Sequence, residues 1–257
     1  MAPPVAGEGT TIRIGITGKT GSGKTTVSAL VAMAAAARGL RTLAVDTDVS
    51  PNLALSLGLH QAAVDAARAV PRALVSGRGG GAVTTGQLVS SFGMGTPSGV
   101  TLLHAMAGSE DVGACTCPAH ASARGLLAAA LDVEADVAVL DMEAGLEHLE
   151  RSSGTVAHTD ILLVVMEPSR KSSVTAQRMV AQAAAHGIGR IALVGNKATG
   201  DDLAAFAEAA ATFELALAGV VPFDEGIVDA DRAGAGLTLG DAGPLRAGVD
   251  GILGSFL

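Results

Sequence analysis

Eight consecutive residues, Gly18-Lys19-Thr20-Gly21-Ser22-Gly23-Lys24-Thr25, carry the sharpest chemical signal in the chain. An apolar run, residues 11–17, precedes them and a helix-forming stretch, residues 26–38, follows, with Thr26 opening it. Strand, glycine-rich loop, helix is the context in which a loop cradles phosphate. Backbone N–H groups freed by the glycines wrap the oxygens, and the helix N-terminus adds partial positive charge. Lys24 is placed to bridge the β- and γ-phosphates, and the Thr25 hydroxyl to ligate Mg²⁺. A glycine-rich turn with a chance lysine is the plainer reading, but every position matches in context. The loop implies a bound nucleoside triphosphate with Mg²⁺.

Two acidic stretches fit the same chemistry. Asp46-Thr47-Asp48 follows a short apolar run, and its two carboxylates point the same way in an extended chain. One would sit behind Mg²⁺ while the other orients the attacking water. Asp141-Met142-Glu143-Ala144-Gly145 also ends an apolar run. Its acid can hold a Mg²⁺-bound water, and the Gly145 N–H can sense the γ-phosphate. The bland alternative for each is a loop acid capping the next helix.

Cys115 and Cys117 are the only thiols in 257 residues. They rule out a disulfide framework and fit a reducing cytosol, where a strained bridge between near neighbours is disfavoured. One such pair cannot complete a tetrahedral thiolate site, which takes four ligands. Two subunits across a two-fold axis could supply two each. Soft thiolates take Zn²⁺, and Ni²⁺ in square-planar geometry is equally reasonable; spacing does not choose between them. Two unliganded thiols are the plainer reading. His120, three residues on, is a candidate further ligand, although such a histidine more often lines the next helix; His104 and His148 are weaker candidates.

The elements that must position these groups follow from periodicity. Short apolar runs end in polar residues at 41–46, 100–104, 137–141, 161–166, 190–196 and 217–221. Alanine-rich helical stretches at 121–131, 172–186 and 201–212 separate several of them. Alternation of this kind predicts an α/β fold: a single-domain P-loop NTPase whose mainly parallel central sheet has helices on both faces. Functional residues should then gather at the C-terminal ends of the strands. Residues 1–10 read as a disordered tail and 11–257 as the ATPase domain, with the Gly/Ser/Thr-rich segment 76–99 a flexible insertion or lid.

Composition narrows the class. Hydrophobic residues make up 49% of the chain, much of it alanine, and no apolar stretch is long enough to span a bilayer. A net charge of −8 leaves no nucleic-acid footprint. The N-terminus has neither the basic flank nor the apolar core of a signal peptide, so a cytoplasmic protein is expected. At the C-terminus Leu245, Val249, Ile252, Leu253, Phe256 and Leu257 share a helical face. Asp250 and the single Arg246 favour a docked terminal helix over a lipid-bound one, so no stable membrane association is expected.

Together these residues resemble a family. Lys19, just after the first glycine, is similar to the extra lysine of the deviant Walker A ATPases, a group that includes MinD, ParA and the nitrogenase iron protein. The sequence departs from that pattern at Thr20, where the family usually has glycine. Within the group the chain looks most like the CooC-type accessory ATPases that mature nickel-containing carbon monoxide dehydrogenase. The matching stretches are Cys115-Thr116-Cys117-Pro118, Asp141 through Leu149, Val194-Gly195-Asn196-Lys197, and Val221-Pro222-Phe223-Asp224-Glu225 continuing to Arg232.

The resemblance implies a homodimer closed by ATP, with Lys19 reaching across to the partner's phosphates. It implies that Asn196 and the turn Pro222, Phe223, Asp224 hold adenine, and that Asp48 positions the hydrolytic water. Cys115 and Cys117 would bind Ni²⁺ or Zn²⁺ at the dimer interface, for delivery to the dehydrogenase as client. Lys197 reads as a plain loop lysine. Two other classes fit the loop: a MinD/ParA-like positioning ATPase acting on membrane or DNA, and a P-loop small-molecule ligase. The first would want a basic helix or face, which this acidic chain lacks, and neither uses the cysteines.

Overall fold

Residues of one strand point alternately to opposite faces, so a strand buried on both sides must be apolar at every position. Strand β6 (Ile161–Met166) meets that requirement throughout, and β5 (Val137–Asp141) meets it up to its terminal carboxylate, Asp141. Val137, Val139, Ile161, Leu163 and Val165 enter one core, while Ala138, Leu140, Leu162 and Val164 enter a second on the other face. The computed structural model describes residues 11–48, 52–71, 84–104, 135–142 and 159–257. Its remaining strands are β1 (Ile12–Gly18), β2 (Thr42–Asp46), β3 (Met94–Gly95), β4 (Thr101–His104), β7 (Ile191–Ala198) and β8 (Ala216–Pro222). Their order across the sheet is β3-β4-β2-β5-β1-β6-β7-β8. Only the edge pair β3–β4 is antiparallel among the described strands.

Helices cover both faces. On one lie α1 (Lys24–Ala37), α2 (Asn52–Ser56) and α8 (Pro244–Gly254), which contribute Val27, Leu30, Leu53, Val249 and Ile252 to the first core. On the other lie α4 (Thr85–Phe92), α5 (Arg170–Ala185) and α6 (Asp202–Thr212), with Leu88, Met179 and Phe206 in the second. Burying each of the larger side chains contributes roughly 1.5–3 kcal/mol. Short helices α3 (Gln61–Asp65) and α7 (Glu225–Ala233) complete the described elements. The expected single α/β domain with a mainly parallel sheet and helices on both faces is the one observed.

Helix boundaries have local causes. Ser169 caps α5 by accepting the Ser172 N–H, and Asp224 caps α7 by accepting from Gly226 and Ile227. Within the segment expected to be a flexible insertion, residues 84–99 hold α4 and β3, and a reciprocal Thr84–Gln87 capping box starts the helix. The C-terminal helix packs Val249, Ile252, Leu253 and Phe256 into the domain, the docked reading of its apolar face. No helix among the described residues is long and apolar enough to cross a membrane. The expected helix over 121–131 and the tail 1–10 lie outside the described residues.

Candidate functional site

The parallel order brings the C-terminal ends of β1, β2, β4, β5, β6 and β7 to one edge of the sheet, where α/β folds bind ligands. Gly18 ends β1 and Lys24 begins α1, so the five residues between them form the expected loop. Gly21 and Gly23 have φ of +82° and +88°, a region side chains with a Cβ seldom occupy. A Cβ on Gly23 would also collide with the Asn196 amide. The first turn of α1 leaves its N–H groups without intrahelical partners and facing the loop. Lys24 is only 9% exposed, and the Ser22 hydroxyl is buried with no hydrogen-bond partner among the described residues. Inward N–H groups, a buried ammonium and an orphaned hydroxyl are a donor set suited to phosphate.

Three strand ends supply acid and imidazole groups side by side. In the sheet register Asp46 of β2 stands opposite both Asp141 of β5 and His104 of β4. All three are buried. Burial, and next the Asp141 charge, hold the Asp46 carboxyl well above its ordinary range. Its oxygens accept the Asp48 N–H at 3.0 Å and the Leu53 N–H at 3.2 Å. Burial also lifts Asp141, to about 6, against the pull of hydrogen bonds from Thr25 and Ser28 and of the Lys24 charge. Ser28 Oγ donates to Asp141 Oδ1 at 3.0 Å. An acid that grips the candidate Mg²⁺-ligating threonine from behind is suited to fix the coordination geometry of the ion. His104 is pushed down by burial and partly raised by Asp48, and its Nδ1 has no hydrogen-bond partner among the described residues. No group of three His, Cys, Asp or Glu suited to a metal ion occurs among the described residues.

On the other side of the loop, β7 carries Asn196 and Lys197 just before its last residue, Ala198. Asn196 Nδ2 donates to Ser22 O at 2.8 Å, and Lys197 Nζ to Gly21 O at 2.6 Å. Glu167, directly after β6, lies between two ammonium groups, 3.5 Å from Lys19 Nζ and 3.6 Å from Lys197 Nζ. Pairing of Ala198 with Pro222, and the Phe223 N–H bonded to Ala198 O, tie the Pro222–Asp224 turn to the same strand end. That turn lines a cavity of about 330 Å³ together with Ile227, Leu239 and Pro244. Phe223 is 49% exposed on it, and the Asp224 carboxylate is engaged as the α7 cap.

Of the residues selected from sequence, the fold assembles the loop with Asp46, Asp48, Asp141 and Asn196, and sets the Pro222–Asp224 turn beside them. Gly145, Cys115, Cys117, His120 and His148 lie outside the described residues. Sequence reasoning passed over Glu167, Ser28 and the positioning contact of Lys197. Glu167 carried the same signal as Asp46 and Asp141, an acid closing an apolar run. Ser28 sits one helical turn after Thr25, hence on the same face of α1.

Residues 14–237 match the model of the CobQ/CobB/MinD/ParA nucleotide binding domain family. The chain is 33% identical over 236 residues to the carbon monoxide dehydrogenase accessory protein CooC of Rhodospirillum rubrum, covering 87% of this chain and 88% of that protein. It is 30% identical over 240 residues to an uncharacterized ATP-binding protein of Methanocaldococcus jannaschii, covering 89% and 91%. Among solved structures, a ParA family ATPase from Chlorobium tepidum superposes with a TM-score of 0.72 at 19% identity, over 95% of this chain and 98% of that one. The MinD cell division protein of Aquifex aeolicus gives 0.71 at 19% identity, over 95% and 96%. A glycine loop backed by buried acids on a mainly parallel sheet, and a family match that runs through both, make this chain a member of the CobQ/CobB/MinD/ParA family of P-loop ATPases.

Proposed function

We propose that the chain is an ATP-dependent metallochaperone that carries Ni²⁺ or Zn²⁺ between two Cys115/Cys117 pairs of a homodimer and assists nickel insertion into carbon monoxide dehydrogenase. The observation that carries this reading is the 33% identity to CooC across most of both chains, in a sequence whose only cysteines form a C-x-C pair. Residues Gly18 to Thr26, Lys24 among them, hold the phosphates, and Mg²⁺ held through Thr25 would neutralise charge on them. Asp141 fixes Thr25, Asp46 orders the Asp48 backbone, and Asp48 orients the attacking water. Lys19 contacts the phosphates of the second subunit. Asn196 and the Pro222, Phe223, Asp224 turn hold adenine, a reading supported by the cavity beside that turn. Hydrolysis relaxes the switch from Asp141 to Gly145, the dimer opens and the cargo ion passes to the client. ATP thus shifts the population between two dimer states.

The likeness to MinD and ParA structures supports a second reading, a positioning ATPase on membrane or DNA. Metal content and mass of the reduced protein, with and without a non-hydrolysable ATP analogue, separate the two. One Ni²⁺ or Zn²⁺ per dimer, lost in Cys115→Ser/Cys117→Ser, is the expected result. A nucleotide-driven dimer that binds no metal overturns the metallochaperone and leaves the positioning or ligase-type ATPase.

A further inference from the structure

Two consecutive residues at the end of β7 hold two consecutive carbonyls of the phosphate loop. Asn196 takes the Ser22 carbonyl and Lys197 the Gly21 carbonyl. A trans peptide is planar, with its C=O and N–H pointing in opposite directions. Fixing the Gly21 carbonyl therefore fixes the Ser22 N–H, which donates to Lys19 O at 3.0 Å and closes the turn that carries Lys19. Fixing the Ser22 carbonyl does the same for the Gly23 N–H at the mouth of α1. Both peptide planes are set from outside the loop, before any ligand arrives.

The backbone of Lys197 shows what this contact demands. Its φ is +59°, and among the described residues only Glu214 is another non-glycine with positive φ. A left-handed backbone is strained for a residue with a Cβ, so a contact must hold the lysine there. The pairing of β7 with β8 shifts register between Gly195 and Ala198, and such a bulge re-aims a side chain that would otherwise follow the strand. Here the side chain turns to the loop, and its ammonium is also 3.6 Å from Glu167, whose other oxygen lies 3.5 Å from Lys19.

We infer that Lys197 is a positioning residue of the nucleotide site: it pins the Gly21 carbonyl and shares Glu167 with Lys19, so that the phosphate loop and the start of the Lys19 side chain are preformed for the nucleotide. The inference rests on the phosphate-binding role of the loop.

Glycine tolerates the left-handed backbone but has no amine, so Lys197→Gly separates the contact from the strain. Mg²⁺-ADP affinity of the full chain, measured by calorimetry beside thermal melting, reads both. Lys197→Gly and Lys197→Met should weaken ADP binding about 10-fold, as expected for loss of one charge-assisted bond that preorganises a site. Lys197→Gly should melt no lower than the parent, and Lys197→Arg should recover affinity to within about 3-fold. ADP affinity within about two-fold of the parent in both Lys197→Gly and Lys197→Met would overturn the inference. A parent chain that binds no nucleotide would instead overturn the phosphate-loop reading beneath it.

Discussion

Asp46 and Asp141 face each other across adjacent parallel strands, two carboxylates in one buried row beneath the phosphate loop. Two such groups do not both ionise at low cost, and burial raises both. The cost is met locally, by Asp48 and Leu53 N–H groups on Asp46 and by Thr25 and Ser28 on Asp141. Residues placed for ligand chemistry at the expense of stability give a measurable signature.

Asp141→Asn should expose it. Because the folded pKa stands near 6, above the ordinary 3.8, the carboxyl favours folding fully only below 3.8, and that contribution is lost as pH rises through about 6. At pH 7.5 the amide should therefore stabilise the nucleotide-free protein by about 1–2 kcal/mol. The gain should vanish by pH 4, and ATP turnover should fall by a factor of roughly 100 or more. Thermal melts over pH 4–8 and a phosphate-release assay check both. A variant less stable than the parent at pH 7.5 would contradict the burial argument.

Gly23→Ala tests the loop from the other side. The new Cβ takes a φ of +88° and meets the Asn196 amide, whose bond to Ser22 O must then break. Destabilisation of about 1–3 kcal/mol and at least a tenfold loss of ADP affinity are expected. Gly21→Ala serves as the comparison: it carries similar strain at +82° but meets no atom of the described residues within 4 Å. It should cost stability with less loss of affinity. Equal affinity losses in the two variants would show that backbone strain alone matters.

Much of this site was legible before any coordinates. The loop is local, so its glycines, lysine and threonine read directly from eight residues. Asp46 and Asp141 read from the rule that acids closing apolar runs collect at one sheet edge. What could not be read depends on lateral strand order: Asp46 meets Asp141 only because β5 inserts between β1 and β2. Lys197 was invisible for a related reason. A lysine after a strand looks solvated until a bulge and a left-handed φ turn it back onto the loop. Helices α2, α3 and α7 are short, with too few turns for apolar periodicity to identify them.

Asp48→Asn should separate binding from turnover. The Asp48 backbone N–H, not its carboxylate, makes the bond to Asp46, so the loop geometry survives the change. ATP turnover should drop about 100-fold while ADP affinity stays within about two-fold, the split expected of a group that acts on water. A parallel loss of affinity would move Asp48 from the water to the phosphate cradle.

His104→Gln addresses the last member of the buried row. His104 has a folded pKa below its ordinary 6.5, so its contribution to stability is complete above 6.5 and is lost as pH falls below that value. Asp141 acts with the opposite sign, gaining as pH falls through about 6. In the parent the two trends oppose each other in the window below about pH 6, where Asp141 gains and His104 loses. A glutamine has no proton to take up in that window, so the variant should gain stability more steeply than the parent on acidification. Denaturant unfolding at pH 7.5, 6.5, 5.5 and 5.0 measures both slopes. Equal slopes in the two proteins would mean that the imidazole titrates alike folded and unfolded, contrary to its burial opposite Asp46.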